Sequence, residues 1–161
     1  LTDLAEKGKL PDALIRHGIR RLCRQRLLDE GENDSDAADN RFRALIESLN
    51  ADELFALIIP GGWAPDKLRR YDTVKNLVKK MDDAGKIIGI ICHGGSTAIS
   101  AGIIKKGKRV TGSVGIKDDL VNAGGVWADE PAFREGNQIW GRVVADIPDF
   151  NRELVKALVE G

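Results

Sequence analysis

The sequence contains few of the residues that build cross-linked, metal-bound or membrane-embedded proteins. Two of its 161 residues are cysteine, Cys23 and Cys92, and two cysteines at unrelated spacings make neither a disulfide framework nor a zinc site. A reducing, cytoplasmic compartment is therefore expected. No apolar run approaches the roughly 20 residues that a membrane span requires, and no secretory signal is found at the start. The first residue is Leu1, which suggests a piece of a longer reading frame.

The chain also lacks an excess of charge of either sign. It carries 25 basic and 25 acidic side chains, so its formal net charge is +0. Without a global field, there is no electrostatic reason to expect a nucleic-acid partner, and binding to an anionic membrane is not favoured. The densest basic cluster, residues 105–109, contains only four charges and is better explained as a solvated loop. We therefore expect neither nucleic acid nor membrane as a partner.

The first fifty residues have a helical pattern and contain no strand signal. Apolar side chains at helical spacing, with arginines between them, predict an amphipathic helix over residues 11–28. Cys23 would pack on its apolar face. The acidic, polar stretch 29–40 is expected to be a loop, and residues 41–49 a short second helix. We accordingly divide the chain into a helical extension, residues 1–50, and a second domain, residues 51–161.

Beyond Asn50, strand and helix patterns alternate, which is typical of a parallel sheet covered on both faces by helices. A buried strand over 54–59 stops at Pro60-Gly61-Gly62, and a helix over 73–84 follows with Asp72 as its cap. Further segments are a strand ending at residue 91, a helix over 96–104, a strand over 108–111, a helix over 116–122, and a final helix capped by Asp146. Between the last two helices, segments 126–128 and 132–134 flank residues 129–131, and a turn over 135–137 leads to a segment over 138–140. Ligands of such sheets bind at the carboxyl ends of the strands.

The most informative segment is residues 86–96, which predicts a buried strand ending in a thiol at the start of a helix. The free N–H groups and positive end of that helix would favour the thiolate of Cys92 over the thiol. Gly94 and Gly95 permit the sharp turn that this requires. Cys92 is therefore a candidate nucleophile. The alternative remains open, because free cysteines are often simply buried small hydrophobes.

Five segments in the correct order make residues 54–158 resemble the PfpI family of intracellular cysteine proteases and protein deglycases, within the class I glutamine-amidotransferase-like superfamily. They are Ile58-Ile59-Pro60-Gly61-Gly62-Trp63-Ala64-Pro65-Asp66, Ile91-Cys92-His93-Gly94, Ile99-Ser100-Ala101-Gly102, residues 116–124, and Ala145-Asp146-Ile147-Pro148-Asp149-Phe150. The resemblance implies a flavodoxin-like three-layer α/β sandwich. Family members begin with a strand, a loop carrying a glutamate, and a helix; residues 1–50 have no such pattern, so this first unit is expected to be missing and replaced by helices.

The resemblance also implies a Cys-His-acid hydrolytic site that needs no cofactor and no metal. The family's nucleophile corresponds to Cys92 and its histidine to His93, and the acidic position, donated by a neighbouring subunit, holds Asp66. Gly61 and Gly62 would let backbone N–H groups approach the substrate and bind an oxyanion. The implied protein is a homo-oligomeric hydrolase acting on a small peptide or an aldehyde adduct.

Two further readings stay open at this point. The domain could be catalytically impaired, with Cys92 acting as a redox-sensing thiol in a stress response. Residues 1–50 have a second, short resemblance, to the N-terminal helices of cyclopropane-fatty-acid-synthase-like methyltransferases. Because no glycine-rich cofactor loop follows it, methyl transfer is not implied.

Overall fold

The structure is a computed structural model that describes residues 35–160. The chain divides into two compact units, residues 1–55 and 56–161, which are considered separately. The helix predicted over residues 11–28, including Cys23 and His17, lies outside the described residues, as does most of the segment that resembles methyltransferases. The proposed domain boundary at residue 50 therefore stays a prediction.

In the first unit, the described residues form helix α1, Ser35–Glu47, and a 3₁₀ turn, Ala51–Glu53, and they include no strand. The prediction of a loop over 29–40 is wrong from residue 35 onward, because the helix already includes those residues. Ala37 and Ala38 are strong helix formers, and their propensity outweighs the turn tendency of the preceding Asn-Asp-Ser run. The helix predicted to start at Arg41 thus begins six residues earlier.

The second unit is an α/β domain built on a four-stranded sheet. Its strands lie in the order β1-β2-β6-β5; β1, β2 and β6 are mutually parallel, and β5 is antiparallel to β6. A separate small parallel pair joins β3 and β4. In chain order the elements are β1 Ala56–Ile59, α2 Ala64–Leu68, α3 Asp72–Asp83, β2 Ile87–Ile91, a 3₁₀ helix Cys92–Gly94, α4 Gly95–Ser100, β3 Arg109–Val110, a 3₁₀ helix Val114–Ile116, α5 Lys117–Asn122, β4 Val126–Trp127, β5 Ala132–Glu135, β6 Gln138–Gly141, a 3₁₀ helix Val144–Asp146 and α6 Ile147–Glu160.

The turn predicted over residues 135–137 forms a hairpin in this domain, whereas the segment 126–128, predicted to flank residues 129–131, pairs with another part of the chain. Residues 126–127 pair in parallel with Arg109–Val110, whereas the hairpin joins β5 to β6 through the two-residue turn Gly136-Asn137. Gly136 has φ = 65°, and two-residue hairpin turns require positive φ, which glycine adopts without steric cost. The sheet is therefore mixed, with one antiparallel edge strand, rather than wholly parallel.

Two helix boundaries also differ from the predictions for reasons visible in the backbone. Helix α3 includes Asp72, and Tyr71 is the residue that precedes it, so Asp72 is not the cap; it lies in the first turn, 2.7 Å from the Lys75 ammonium. Helix α4 ends at Ser100 instead of continuing to residue 104. Gly102 has φ = 68°, and a left-handed glycine after the last turn ends an α-helix.

The core consists of side chains from both faces of the sheet. On one face, Ile87 and Ile91 of β2 pack with Ile139 of β6 and with Phe150 and Leu154 of α6. The alternate residues of β2, Ile88 and Ile90, are fully buried and face the opposite way, because side chains alternate along a strand. Helix α3 contacts both β1 and β2. A sheet between helices confirms the predicted α/β sandwich, and Trp140 of β6 is fully buried in its core.

Candidate active site

Cys92 lies at the carboxyl end of β2, at the centre of the sheet. It directly follows the strand and starts the 3₁₀ helix that leads into α4, as the sequence predicts. Its φ of 59° makes it the one residue other than glycine with positive φ among residues 35–160. An L-residue in this region is strained by about 1–2 kcal/mol, and such strain is concentrated at functional sites. The half-buried thiol is thus held on a sharp strand-to-helix turn.

His93 is the immediate neighbour of this thiol in space as well as in sequence. The Cys92 Sγ lies 3.4 Å from His93 Nδ1, and both side chains are half-buried. At this separation a proton can be exchanged directly between sulfur and nitrogen, and an adjacent imidazole is the usual activator of a cysteine nucleophile. The structure therefore brings the predicted nucleophile and base together.

Three glycines let neighbouring backbone segments approach the thiol closely. A Cβ on Gly61 would lie 2.5 Å from the Cys92 Cβ and 3.0 Å from its Sγ. A Cβ on Gly94 would lie 2.5 Å from the Ile59 carbonyl oxygen, and one on Gly112 would lie 2.9 Å from the Cys92 carbonyl oxygen. Real Cβ atoms essentially never lie within 3.0 Å of another heavy atom, so a side chain at any of these positions would force its neighbours to shift.

The loop after β1 lies beside the backbone of His93. The position of a Cβ on Gly61 is 3.3 Å from His93 N, and the next residue, Gly62, has φ = 77°. The turn that contains the two predicted substrate-binding glycines is thus adjacent to the backbone N–H that follows the nucleophile. An oxyanion held between Gly62 and His93 stays a prediction.

Asp66, the predicted acid, is in the first turn of α2 and is mostly exposed. Its carboxylate is paired with the Arg70 guanidinium, and none of the hydrogen bonds described for residues 35–160 joins His93 to a carboxylate. Helix α2 is fixed against α4, because Arg69 Nε donates to Ser100 Oγ at 2.8 Å. The structure therefore places Cys92 and His93 in contact. Within one chain it does not bring the Asp66 carboxylate to the His93 imidazole.

Comparison with known proteins agrees with this geometry. The sequence profile of the DJ-1/PfpI family matches residues 32–157, more than three quarters of the chain. This chain belongs to the DJ-1/PfpI family. The predicted resemblance is confirmed, and it extends further toward the N-terminus than residue 54. The matched range includes residues 32–50, which lie in the segment that we assigned to the helical extension.

Individual relatives of this DJ-1/PfpI protein are enzymes by name. A deglycase of Pyrococcus abyssi is 43% identical over 112 residues, which are 70% of this chain and 67% of the relative. YraA of Bacillus subtilis, named provisionally as a cysteine protease, is 35% identical over 113 residues, 70% of this chain and 66% of the relative. The chain thus spans about two thirds of the length of these relatives.

A solved structure supports the fold of this family member. A two-domain protein from Anabaena variabilis, with DJ-1/ThiJ/PfpI-like and ferritin-like domains, superposes with a TM-score of 0.68 at 34% identity, over 70% of this chain and 32% of that one. The comparison therefore covers one of the two domains of that protein.

Sequence reasoning missed the residues that flank the imidazole. The Trp63 indole stacks on His93, with 6.2 Å between ring centroids and an interplanar angle of 29°. On another side, a Cβ on Gly115 would lie 3.5 Å from His93 Nε2. Their place in the sequence could have predicted this. Trp63 follows closely after the carboxyl end of β1 and Gly115 after that of β3, and ligands of such sheets bind at the carboxyl ends of strands.

An arginine stabilises the loop that follows β6 at the same edge of the sheet. Gly141 pairs with Ile91, so Arg142 leaves the sheet next to Cys92. Its Nε donates to Asp146 at 2.9 Å and its Nη1 to Asp129 at 2.7 Å. These hydrogen bonds, first to Asp146 and then to Asp129, raise the pKa of the guanidinium above its usual range. The three-residue cluster ties the β4–β5 connection to the start of α6.

Two features are absent from the part of the chain that the structure describes. Among residues 35–160, no three His, Cys, Asp or Glu side chains are grouped as metal ligands. No helix in that range is both long and apolar enough to cross a bilayer.

Proposed function

We propose that this chain is a cysteine-dependent hydrolase of the PfpI type, with Cys92 as nucleophile, His93 as base and acid, and Asp66 as the carboxylate that orients His93. The observation that carries the proposal is the strained Cys92, with φ = 59° and its Sγ 3.4 Å from His93 Nδ1. A residue with no chemical task would not need this conformation at the carboxyl end of a central strand, where ligands of α/β sheets bind.

The chemistry follows from the two side chains. His93 accepts the thiol proton, and the thiolate attacks the carbonyl carbon of the substrate, forming a C–S bond. His93 then returns the proton to the leaving amine as the C–N bond breaks. Water hydrolyses the resulting thioester and restores the thiol. A backbone N–H at His93, with a second at Gly62, would stabilise the oxyanion by about 3 kcal/mol per donor.

Two substrate classes fit this reaction, a small peptide amide and an amine modified by a glyoxal-type aldehyde. In both, the bond that breaks joins carbon to an amine nitrogen. In the peptide this carbon is the carbonyl carbon that the thiolate attacks. In the adduct the thiolate attacks the remaining carbonyl, the amine leaves from the neighbouring carbon, and a proton shifts from the attacked carbon to that neighbour, so that the thioester of a hydroxy acid forms without an external oxidant. The Pyrococcus relative named as a deglycase supports the adduct, and the Bacillus relative named as a protease supports the peptide. Assays should therefore contain both substrates.

Replacing the nucleophile tests the proposal directly. Cys92→Ser should lower kcat/KM by at least about 10³-fold on the preferred substrate, because a serine at this site lacks a sufficiently basic partner. Cys23→Ser is the matched control, since it removes the other cysteine, and it should retain activity. Circular dichroism would verify that both variants are folded. Equal turnover by wild type and Cys92→Ser would refute the proposal.

We further propose that Asp66 acts on His93 of a second copy, in a homo-oligomer. The supporting observation is that the Asp66 carboxylate is mostly exposed, at the surface of α2, and is not hydrogen-bonded to His93 of its own chain. A carboxylate directed outward is available to a neighbouring subunit, where it would orient the imidazole and stabilise its charged form.

Mixing two inactive variants tests this arrangement. Asp66→Asn should lose on the order of 10²- to 10⁴-fold in kcat. Unfolding and refolding Asp66→Asn together with Cys92→Ser in equal amounts should restore about one quarter of the wild-type activity, because half of the subunits carry the thiol and half of those face an intact Asp66. If the mixture remained as inactive as its components, Asp66 would not act across an interface.

A redox function is the second candidate, and the partial exposure of the free Cys92 thiol favours it. Here the thiolate would attack hydrogen peroxide, releasing hydroxide and forming a sulfenic acid. Mass spectrometry after peroxide treatment should then show selective oxidation of Cys92 over Cys23. Equal modification of both cysteines, or of neither, would contradict this function.

A further inference from the structure

Trp63 is the most exposed large apolar side chain among residues 35–160, with 87% of its surface in contact with solvent. Tryptophan is highly buried on average, so an exposed indole is uncommon and requires an explanation. The Trp63 side chain is not buried within the second unit. It faces solvent beside the Cys92–His93 pair.

The backbone that carries this indole is well fixed. Trp63 precedes α2, and its carbonyl oxygen accepts a hydrogen bond from Asp66 N at 3.2 Å. Two residues later Pro65 is fully buried, and its carbonyl oxygen accepts from Thr97 Oγ1 of α4 at 3.4 Å. The exposure of Trp63 is therefore a property of an anchored turn.

The indole lies beside His93 and remains open to solvent over most of its surface. Its ring is stacked loosely on the imidazole, with 6.2 Å between ring centroids, and the Cys92 sulfur lies 3.4 Å from His93 Nδ1. On another side of the imidazole, Gly115 has no side chain, and Val114 is 75% exposed. A substrate whose carbonyl carbon reaches Cys92 Sγ would thus bind in a solvent-exposed site, with the indole on one side of it.

We infer that Trp63 is a specificity-determining residue that selects substrates with a planar, delocalised side chain next to the reacting carbonyl, whether aromatic or guanidinium. This inference rests on the proposed function and specifies its substrate class. An indole face attracts both groups, through ring stacking and through cation–π attraction, and it has no comparable attraction for a short aliphatic chain. The planar group is either an aromatic ring or a guanidinium, and kinetics with phenylalanine and arginine substrates distinguishes the two.

Kinetics with paired substrates tests the selection. Peptide amides with phenylalanine, arginine, leucine or alanine before the scissile bond would be compared. Trp63→Leu should lower the ratio of kcat/KM for the planar over the aliphatic substrates by about three- to tenfold. Trp63→Phe should retain most of the ratio for the phenylalanine substrate, because it keeps a ring. Trp127→Phe is the matched control for loss of an indole away from the site.

Binding to the inactive protein provides a readout that does not depend on turnover. In the Cys92→Ser background, N-acetylphenylalanine amide and N-acetylarginine amide should quench tryptophan fluorescence at lower concentration than N-acetylalanine amide. Because Trp63→Leu lacks the reporting indole, its affinities would be measured by isothermal titration calorimetry, and there the three ligands should bind equally. If the planar ligands bind preferentially but the wild-type protein turns over none of the substrates, the proposed function is refuted and this inference stands.

Three results would overturn the inference. The first is activity of the wild type with the same loss on all substrates in Trp63→Leu. The second is the absence of any difference in fluorescence quenching between planar and aliphatic ligands. The third is dissociation of the oligomer by Trp63→Leu, measured by light scattering, with the planar preference unaltered, because Trp63 would then serve a subunit contact.

Discussion

Gly61 and Cys92 are so closely packed that a methyl group on Gly61 would lie 2.5 Å from the Cys92 Cβ and 3.0 Å from its sulfur. The turn after β1 and the turn after β2 therefore fit together only if the first contains glycine. This relationship makes the position of the thiol depend on a residue 31 positions earlier in the chain.

Gly61→Ala should displace the thiol and lower kcat by at least about tenfold, with a loss of about 1–3 kcal/mol in the free energy of unfolding, because overpacking forces side chains and backbone to shift. Steady-state kinetics and urea unfolding would measure the two effects. Gly136→Ala is the control: that glycine has a positive φ of 65°, so the variant loses stability through backbone strain, but its turn is remote from Cys92 and its folded fraction should remain fully active. Full activity of Gly61→Ala would contradict the packing described.

The positive φ of Cys92 predicts an unusual order of stability among its variants. Cys92→Gly should be more stable than Cys92→Ala by about 1 kcal/mol, because glycine adopts φ = 59° without the steric strain of a Cβ. Denaturant unfolding of the two variants measures the difference. At an ordinary helical or strand position the order would be reversed, so a more stable alanine variant would show that Cys92 is not strained.

Asp82 is the centre of a buried polar network at the opposite end of β2 from the thiol. Its Oδ1 accepts from Asn137 Nδ2 at 3.0 Å and from Gln138 Nε2 at 2.8 Å, and its Oδ2 lies 3.4 Å from Lys105 Nζ. Asp82→Ala should therefore destabilise the fold by about 2–4 kcal/mol, since it leaves buried donors unsatisfied.

The neighbouring Asp83 offers a matched control for this prediction. Asp83 is exposed and pairs with Lys79 at the surface, so Asp83→Ala should change the free energy of unfolding by less than about 1 kcal/mol. Thermal and denaturant unfolding would be measured for both variants. Equal losses in the two would show that the buried network contributes no more than a surface pair.

Glu135 predicts a specific dependence of stability on pH. Burial raises the pKa of this carboxyl, but hydrogen bonds from Arg109 and Lys108, together with their charges, outweigh burial and hold it below the ordinary 4.5. A carboxyl with a lowered folded-state pKa contributes stability above its unfolded pKa, and the contribution is lost as the pH falls through the folded value. The stability difference between wild type and Glu135→Gln should thus be present at pH 7 and shrink below about pH 4.5. A difference that is constant from pH 7 to pH 3 would exclude this linkage.

Local patterns were sufficient for much of the fold. The run of isoleucines in β2 predicted a buried central strand, and the side chains on both faces of that strand are indeed buried. The strand-to-helix turn at Cys92 was predicted from the apolar strand before it, the helix pattern after it, and Gly94 and Gly95 between them. The strand that pairs with residues 126–127 was not predicted. Strands of two residues have too little pattern to indicate whether they pair with a neighbour in the chain or with a distant segment such as Arg109–Val110.

The candidate site shows the same division. Cys92 and His93 are adjacent in sequence, so their proximity required no knowledge of the tertiary structure. The stacking of Trp63 on His93 joins residues 30 positions apart, and it depends on the packing of the β1 turn against the β2 turn. Asp66 lies in the predicted segment, yet its carboxylate faces Arg70, because a side chain on an exposed helical turn reaches a partner one turn along the same helix.

By itself, the sequence determined the family, the α/β class and the thiol–imidazole pair, because each depends on residues that are neighbours in the chain or on a regular hydrophobic period. Only the tertiary structure decided the strained conformation of Cys92, the requirement for glycine at Gly61 and the open indole beside the imidazole. These features arise where separate strands end at one edge of a sheet, and the distances between such segments are set by packing across the whole domain.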